Sequence, residues 1–325
     1  MSETPSPVVV KKSFWARYGL YIRLLISVIL LTRAFQSIDW QKIEVALPTI
    51  DAKWLLLSLA LLLISNTISG ARWGLIMGHA GFKKNFIAYI RLYFAGGLIN
   101  QGLPTTLGGD SYRAITAHQK LQSKEHDPSS LPMSFLGVLL DRSMGFAGNS
   151  ILGAIGLALG GTVLAAWVPQ LGWALLISML LGALLIAALL RLPRTQDLYV
   201  NIMQGLKMPH ALAPTQTTWG FPNVWWQIIL ATGIHFLTLA AFWGCLKACH
   251  VQAPIEALLI GIPAIGLLML VPISISGWGL RETSLASMLA LWGLDPSLVI
   301  LSSLLYGLTI LITFLPGLPR IIQKG

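Results

Sequence analysis

The chain has 325 residues, of which 55% are hydrophobic and 10% are charged, and its mean hydropathy is +0.73. These values exclude an ordinary soluble globular domain. The net charge of +10 comes from 22 Lys and Arg residues scattered between apolar segments, so nucleic acid is not an expected partner.

The apolar segments predict an all-α polytopic membrane protein with six full transmembrane helices. A bilayer core of about 30 Å needs roughly 20 apolar residues in a helix. Neither a short apolar region nor a small-residue cleavage site follows the N-terminal lysines, so we expect the first segment to remain as an anchor rather than be removed as a signal peptide. The predicted spans are 18–36, 54–77, 133–160, 171–191, 224–246 and 296–316.

Two further apolar runs, 86–103 and 255–271, each end in a proline followed by a polar stretch that contains glycine. Lys and Arg concentrate in cytoplasmic loops, and this bias places both ends of segment 86–121 on the cytoplasmic side. The same bias places both ends of segment 255–295 outside. The sequence therefore predicts two re-entrant hairpins that enter from opposite faces of the plasma (inner) membrane, with both termini cytoplasmic.

The connection at 192–223 is predicted to be a cytoplasmic loop. Within it, Leu198, Ile202 and Leu206 follow i,i+4 spacing, which suits an interfacial helix on the membrane surface. The loop is too short for a nucleotide-binding domain. We therefore interpret residues 1–325 as a single integral membrane domain.

The two interruptions share a sequence pattern. "LPTTLGGDSYRA" begins at residue 103 and "VPISISGWGLRE" at 271, and both contain P-x4-G-x3-R. Each half of the chain contributes two spans, a hairpin and one further span, which is an odd number of crossings. The halves, about 18–160 and 171–316, are therefore predicted to form an inverted repeat, a plan used by many transporters. The matched positions are Pro104 with Pro272, Gly109 with Gly277, and Arg113 with Arg281.

Each interruption is expected to create an anion-binding helix end. Proline ends the incoming helix, and glycine allows a tight reversal. The free amides of the following half-helix carry partial positive charge, which favours phosphate or carboxylate. We expect Arg113 and Arg281 in the first turns of these half-helices, Asp110 as an N-cap, and Glu282 in a first turn.

Charged side chains at membrane depth cost roughly 2.5–3.5 kcal/mol on insertion scales and are functional candidates by default. An alternative interpretation is that acids and arginines pair simply to lock the two repeats together. His235 is expected to be a packing residue, and Asn66 and Ser69 suit interhelical hydrogen bonds as well as a site. The charged candidates are Asp110, Arg113, Asp141, Arg142, Arg281 and Glu282.

The stretches "NQGLPTTLGGDSYRA", "LLDRSMG" and "VPISISGWGLRETSL" resemble the lysylphosphatidylglycerol synthase transmembrane-region family, which is also described as flippase-like. The resemblance implies movement of a phospholipid or polyprenyl-phosphate-linked lipid between leaflets. In that family, the members that transfer aminoacyl groups carry a large soluble C-terminal domain. This chain stops nine residues after its last predicted span, so the resemblance does not imply synthesis of an aminoacyl lipid. Trp278 departs from the small residue expected between two glycines. The candidate substrate-binding residues are Gly108, Gly109, Asp110, Arg113, Asp141, Arg142, Gly277, Arg281 and Glu282.

The leading functional hypothesis is a lipid flippase with a midplane site for an anionic head group, in which Arg113 and Arg281 hold phosphate. One alternative is an intramembrane transferase that uses Asp110 and Asp141 as acid, base or metal ligands. Another is a membrane subunit that regulates a partner enzyme of lipid or cell-envelope glycan synthesis. No catalytic residue, cofactor or metal site is predicted, because the scattered acids do not assemble a ligand set.

Overall fold

A computed structural model describes residues 14–102, 107–123, 130–167, 221–269 and 273–322. These ranges are α-helical apart from short 3₁₀ turns, connecting loops and one isolated β-bridge, so the predicted all-α class is confirmed. The helices are α1 (Phe14–Gln36), α2 (Trp40–Ala46), α3 (Ala52–His79), α4 (Phe86–Gly102), α5 (Leu107–Leu121), α6 (Ser130–Trp167), α7 (Phe221–Ala248), α8 (Ile255–Leu268), α9 (Leu280–Leu289), α10 (Pro296–Phe314) and α11 (Leu318–Ile322).

Within the described ranges, four helices are long and apolar enough to cross a membrane, and they coincide with four predicted spans. A fifth is added if α1 and α2 are counted as one span, although they are bent by 82°. The chain is therefore a multi-pass membrane protein. The predicted span at 171–191 and most of the loop at 192–223 lie outside the described residues. The four helices are Ala52–His79, Ser130–Gly160, Trp225–Ala248 and Pro296–Ile322.

Helices α3 and α7 pack along each other, and α6 packs against both α7 and α8. Close packing is helped by small polar residues, since Ser58 Oγ donates a hydrogen bond of 2.8 Å to the carbonyl oxygen of Ala241. On the other side of α7, the rings of Phe242 and Tyr306 meet edge to face at 5.4 Å. This arrangement holds α10 against the pair formed by α3 and α7.

One end of the bundle gathers the connections before α3, after α7 and before α10. The backbone amide of Asp51 donates to the carbonyl oxygen of Ala248 at 3.1 Å. Lys42 forms an ion pair of 2.5 Å with Asp295. These contacts join segments that are far apart in sequence at a single face of the protein, which we call the first face.

The opposite end of α3 leads to a second face, where the two ends of the segment containing α4 and α5 meet. Lys83 donates its amide to the carbonyl oxygen of Leu121 at 2.8 Å, and Phe82 forms an antiparallel bridge with Gln122. Helices α4 and α5 therefore form a helical hairpin that returns to the face where it began. Their 17 and 15 residues correspond to lengths of about 25 and 22 Å.

The first interruption differs in detail from the sequence-based expectation. Helix α5 begins at Leu107, so Asp110 lies inside its first turn and Arg113 follows in the second turn. The predictions of Asp110 as the N-cap and Arg113 in the first turn were therefore wrong. The physical reason is a cap from another helix, because Asn100 Oδ1 accepts the amide hydrogen of Gly109 at 2.8 Å and satisfies a helix-start donor.

The second interruption contains an irregular turn. A 3₁₀ turn at Ile275–Gly277 precedes α9, and positive φ angles occur at Ser276 (50°), Gly277 (77°) and Gly279 (81°). Glycine adopts such angles without steric cost. Glu282 lies in the first turn of α9, as predicted, and its Oε2 accepts the amide hydrogen of Gly279 at 2.7 Å. Gly277 therefore lies in a turn with a positive φ, whereas its counterpart Gly109 lies inside helix α5.

Candidate functional site

A cavity of about 480 Å³ lies between the two interrupted segments. Its lining includes Ser65 of α3, Asn149 of α6 and Ile234 of α7, all close to the middle of long apolar helices. Both interruptions also reach the cavity, through Arg113 on one side and Arg281 on the other. The cavity is therefore shared by the two halves of the chain.

The first charged cluster consists of three arginines that alternate with two aspartates. Asp141 accepts hydrogen bonds from Arg72 at 2.6 Å and from Arg113 at 3.3 Å. Asp110 accepts from Arg113 at 2.9 Å and from the Nε of Arg142 at 2.7 Å. Three positive groups therefore share two negative ones, which leaves an excess of one positive charge.

Arg113 is the most enclosed member of this cluster. Its guanidinium carbon lies 4.8 Å from the ring centroids of both Trp73 and Tyr93, and only 4% of its side-chain surface is exposed. A Cβ at Gly96 would lie 2.7 Å from the Cγ of Arg113. Cation–π contacts and two carboxylates together offset the cost of burying this charge.

Arg72 belongs to the cluster although it is absent from the candidate set. Its side chain is 5% exposed, and its Nε and Nη1 have no hydrogen-bond partner among the described residues. The available signal in the sequence is a charged residue inside the predicted apolar span 54–77. Its pairing with Asp141, 69 residues later, becomes evident only from the packing of α3 against α6.

The second charged cluster is a close pair of neighbouring residues. The Nε and Nη2 of Arg281 donate to Glu282 Oε1 at 2.9 and 2.5 Å, and Ser303 contacts both side chains at 3.1 Å. The guanidinium carbon lies 5.2 Å from the ring of Trp278 and 5.7 Å from that of Tyr306. The bulky residue between the two glycines therefore packs on the arginine and does not fill the cavity.

The structure brings six of the nine candidate residues to the cavity wall. Glu282 is completely buried behind Arg281, and Gly109 faces the backbone of Gly96. Gly108 is partly buried at the start of α5. These three are not among the described residues that line the cavity. The six lining residues are Asp110, Arg113, Asp141, Arg142, Gly277 and Arg281.

Neutral hydrogen-bonding side chains line much of the remaining wall. Asn66 and Ser69 of α3 reach the cavity, as does His235 of α7, so all three are placed beside the charged clusters. Cys245 and Cys249 instead lie as free thiols in the apolar core, where a buried thiol packs as a small apolar group. The wall thus offers both charge and uncharged donors and acceptors.

The acidic groups of the cavity are engaged by arginine. Across the part of the chain that the structure describes, no group of three His, Cys, Asp or Glu side chains is placed to hold a metal ion. The chemistry that this arrangement supports directly is recognition of an anion by guanidinium groups.

Fold and site together define a multi-pass helical membrane protein with a buried, arginine-rich cavity. The sequence profile of the lysylphosphatidylglycerol synthase TM region matches residues 20–317, and the chain belongs to this family. Neither the curated proteins nor the solved structures contain a significant match to the chain.

Proposed function

We propose that this protein moves an anionic lipid between the membrane leaflets and holds its head group in the shared cavity. The observation that carries the proposal is the charge of the wall, because four arginines and two aspartates line a cavity that also reaches the middle of the long apolar helices α3, α6 and α7. A positively charged side chain at membrane depth is costly to insert, and such residues are functional candidates by default. The family to which the chain belongs is named for a lipid synthase, which agrees with a lipid as the cargo.

The proposed architecture is an inverted repeat of about 18–160 and 171–316 within one membrane domain, with six spans and two re-entrant hairpins. The meeting of Lys83 with Leu121 supports the first hairpin. The second, formed by α8 and α9, begins and ends near the first face, where Asp295 contacts α2. In the proposed topology, the hairpins lie on opposite sides of the inner membrane and both termini are cytoplasmic.

The head group would be a phosphate-bearing group, whether of a phospholipid or of a polyprenyl-phosphate-linked lipid. Arginine matches phosphate through a planar set of donors, and Asn66, Ser69 and Asn149 supply neutral partners for other polar atoms. The volume of about 480 Å³ lies within the range typical of small-molecule sites and exceeds what a lone phosphate needs.

The engagement of both aspartates favours transport over acid–base chemistry. Asp110 and Asp141 each accept hydrogen bonds from two arginines. Both oxygens of each carboxylate are thereby occupied by guanidinium nitrogens. The two aspartates are therefore better suited to orient the arginines than to catalyse a transfer.

Filling the cavity is the direct test of this proposal. A Cβ at Gly145 would have its nearest neighbours at 3.7 Å (His235 Nε2) and 4.0 Å (Arg72 Nη2), while a Cβ at Gly233 would have no neighbour within 4 Å. Gly145→Phe should place a ring in the cavity, whereas Gly233→Phe places the same ring outside it. Transbilayer movement of a fluorescent anionic phospholipid would be measured in proteoliposomes.

We expect Gly145→Phe to slow this movement at least tenfold and Gly233→Phe to leave the wild-type rate unchanged. Equal rates for the two variants would exclude the cavity as the route. A wild-type protein that moves lipid only after a partner enzyme is added would instead support the membrane-subunit hypothesis.

A further inference from the structure

Arg142 is the most accessible arginine of the first cluster. Its side chain is 42% exposed, compared with about a tenth of that fraction for Arg72 and Arg113. Its Nε donates to Asp110 at 2.7 Å. Its two terminal nitrogens, however, make no hydrogen bond within the part of the chain described by the structure. A planar pair of donors is therefore free at this position.

Arg142 lies on α6 between the cavity and an exposed apolar surface of that helix. Phe135, Leu139, Arg142 and Phe146 follow i,i+4,i+7,i+11 spacing and so share one helical face. Leu139 is 62% exposed, and Phe135 is also exposed, whereas Phe146 lines the cavity together with Arg142. An apolar strip of α6 thus leads directly to the free guanidinium edge.

Arg113 and Arg281, which both contact aromatic rings, already use their guanidinium groups in buried ion pairs. Arg113 contacts two carboxylates and two rings. Arg281 directs two of its nitrogens at the fully buried Glu282. For either residue to bind an anion through these nitrogens, it would have to give up a buried carboxylate, and breaking such a pair is strongly destabilising.

We infer that Arg142 binds the phosphate oxyanion of a membrane lipid at the mouth of the cavity, with the acyl chains lying along Phe135 and Leu139. Two parallel N–H donors match two phosphate oxygens, and the bound anion neutralises the excess positive charge of the cluster. Arg113 and Arg281 are then positioning residues, since Arg113 holds Asp110 and Asp141 and Arg281 holds Glu282. This inference deepens the proposed function and rests on it for the identity of the cavity.

The inference is tested by lipid binding to the purified full chain in detergent, measured by native mass spectrometry with phosphatidylglycerol as the probe. Arg142→Gln removes the free donors. Arg91→Gln is the matched control, because Arg91 is exposed on α4 and is not part of the cavity lining. We expect binding at least tenfold weaker for Arg142→Gln and unchanged for Arg91→Gln. Wild-type affinity in Arg142→Gln would overturn the inference.

A competition experiment distinguishes a lipid head group from free inorganic phosphate as the bound anion. Inorganic phosphate offers the same oxyanion without acyl chains, so we expect it to leave the bound lipid in place at concentrations where the lipid itself competes. Displacement at equal concentrations would overturn the assignment to a lipid. Arg142→Lys retains a charge beside Asp110 but loses the paired donors, and it should bind with intermediate affinity.

A paired substitution separates positioning from contact at Arg281. Arg281→Gln alone leaves Glu282 buried without its partner and should lower the melting temperature, while Arg281→Gln with Glu282→Gln should restore it. The double variant should bind phosphatidylglycerol within about threefold of wild type. A folded double variant that binds as weakly as Arg142→Gln would show that Arg281 contacts the lipid.

Binding and transport are read out separately, so the two proposals can fail independently. Binding that depends on Arg142 in a wild-type protein that moves no lipid would contradict the proposed function and leave the inference intact. Lipid movement that is unchanged in Arg142→Gln would contradict the inference and leave the proposed function intact.

Discussion

Ser276 Oγ donates a hydrogen bond to the backbone carbonyl oxygen of Asn100 at 2.7 Å and thereby joins the two interrupted segments of the protein. Asn100 also accepts the amide hydrogen of Gly109 through its side chain. One residue at the end of α4 therefore connects the start of α5 with the irregular turn before α9. The two halves of the proposed repeat meet at this point.

Two substitutions of Ser276 should separate the stabilising effect of this hydrogen bond from the destabilising effect of backbone strain. Its φ of 50° is unfavourable for any residue with a Cβ, and a hydrogen bond contributes about 0.5–1.5 kcal/mol net. Ser276→Ala loses the bond and keeps the strain, whereas Ser276→Gly loses both. We expect Ser276→Ala to melt at a lower temperature than Ser276→Gly in detergent. The reverse order would mean that the turn is not strained at this residue.

The ion pair of Arg72 and Asp141 should behave as a coupled unit. Removal of one partner of a buried pair costs about 3–5 kcal/mol, and Asp141→Asn should cost more than Arg72→Gln because Asp141 also pairs with Arg113. The double variant should cost less than the sum of the single variants. Denaturant unfolding in detergent measures this coupling, and additive effects would show that the pair is not formed.

The spans and the charged candidates were predictable because they depend on local composition. The long apolar helices coincide with runs that any hydropathy argument detects. Asp110, Arg113 and Arg142 stood out as charges in apolar surroundings. These features are properties of short stretches of sequence, and the structure places these residues in one cluster.

Other details depended on tertiary contacts that no local pattern encodes. The start of α5 at Leu107 depends on a cap from Asn100, which lies in the preceding helix. The importance of Arg72 depends on a carboxylate 69 residues away. The packing of Trp278 on Arg281 depends on space left by Gly307, whose Cβ would meet both side chains.

Gly307 should be intolerant of a methyl group for this reason. A Cβ there would approach Arg281 Nη2 closely and would lie 2.9 Å from Trp278 Cη2, so Gly307→Ala should destabilise the protein by about 1–3 kcal/mol, as overpacking does. Gly233→Ala is the control, because its Cβ meets nothing within 4 Å and alanine favours helix. Melting temperatures that change equally in both variants would contradict this account of Gly307.

The link between Lys42 and Asp295 at the first face should depend on pH. Burial alone would raise the pKa of Asp295, but the hydrogen bonds from Lys42 and from the amides of Leu298 and Ser297 lower it below its ordinary value. The hydrogen bond from Lys42 to Asp295 and the attraction between their opposite charges raise the pKa of Lys42. The stabilisation from Asp295 is therefore present above pH about 4 and is lost as the pH falls further, while that from Lys42 is lost only at strongly alkaline pH.

The variant Asp295→Asn keeps a side-chain oxygen for the helix cap and removes the charge. We expect it to melt slightly below wild type between pH 5 and pH 9, and the difference should shrink in high salt and vanish below about pH 3. A difference that persists at low pH would assign the effect to the helix cap and not to the ion pair.

The central claim is that the two interrupted segments return to opposite faces of the membrane around a shared cavity. Accessibility labelling of single cysteines tests this claim most directly. The labelling uses a background variant that lacks Cys245 and Cys249. We expect Lys84→Cys and Ser123→Cys to react with a charged reagent from one side of the membrane, and Gln252→Cys and Pro296→Cys from the other. Gly102→Cys at the end of α4 should be unreactive from that other side. Labelling of either pair from different sides, or of Gly102→Cys from the far side, would contradict the account.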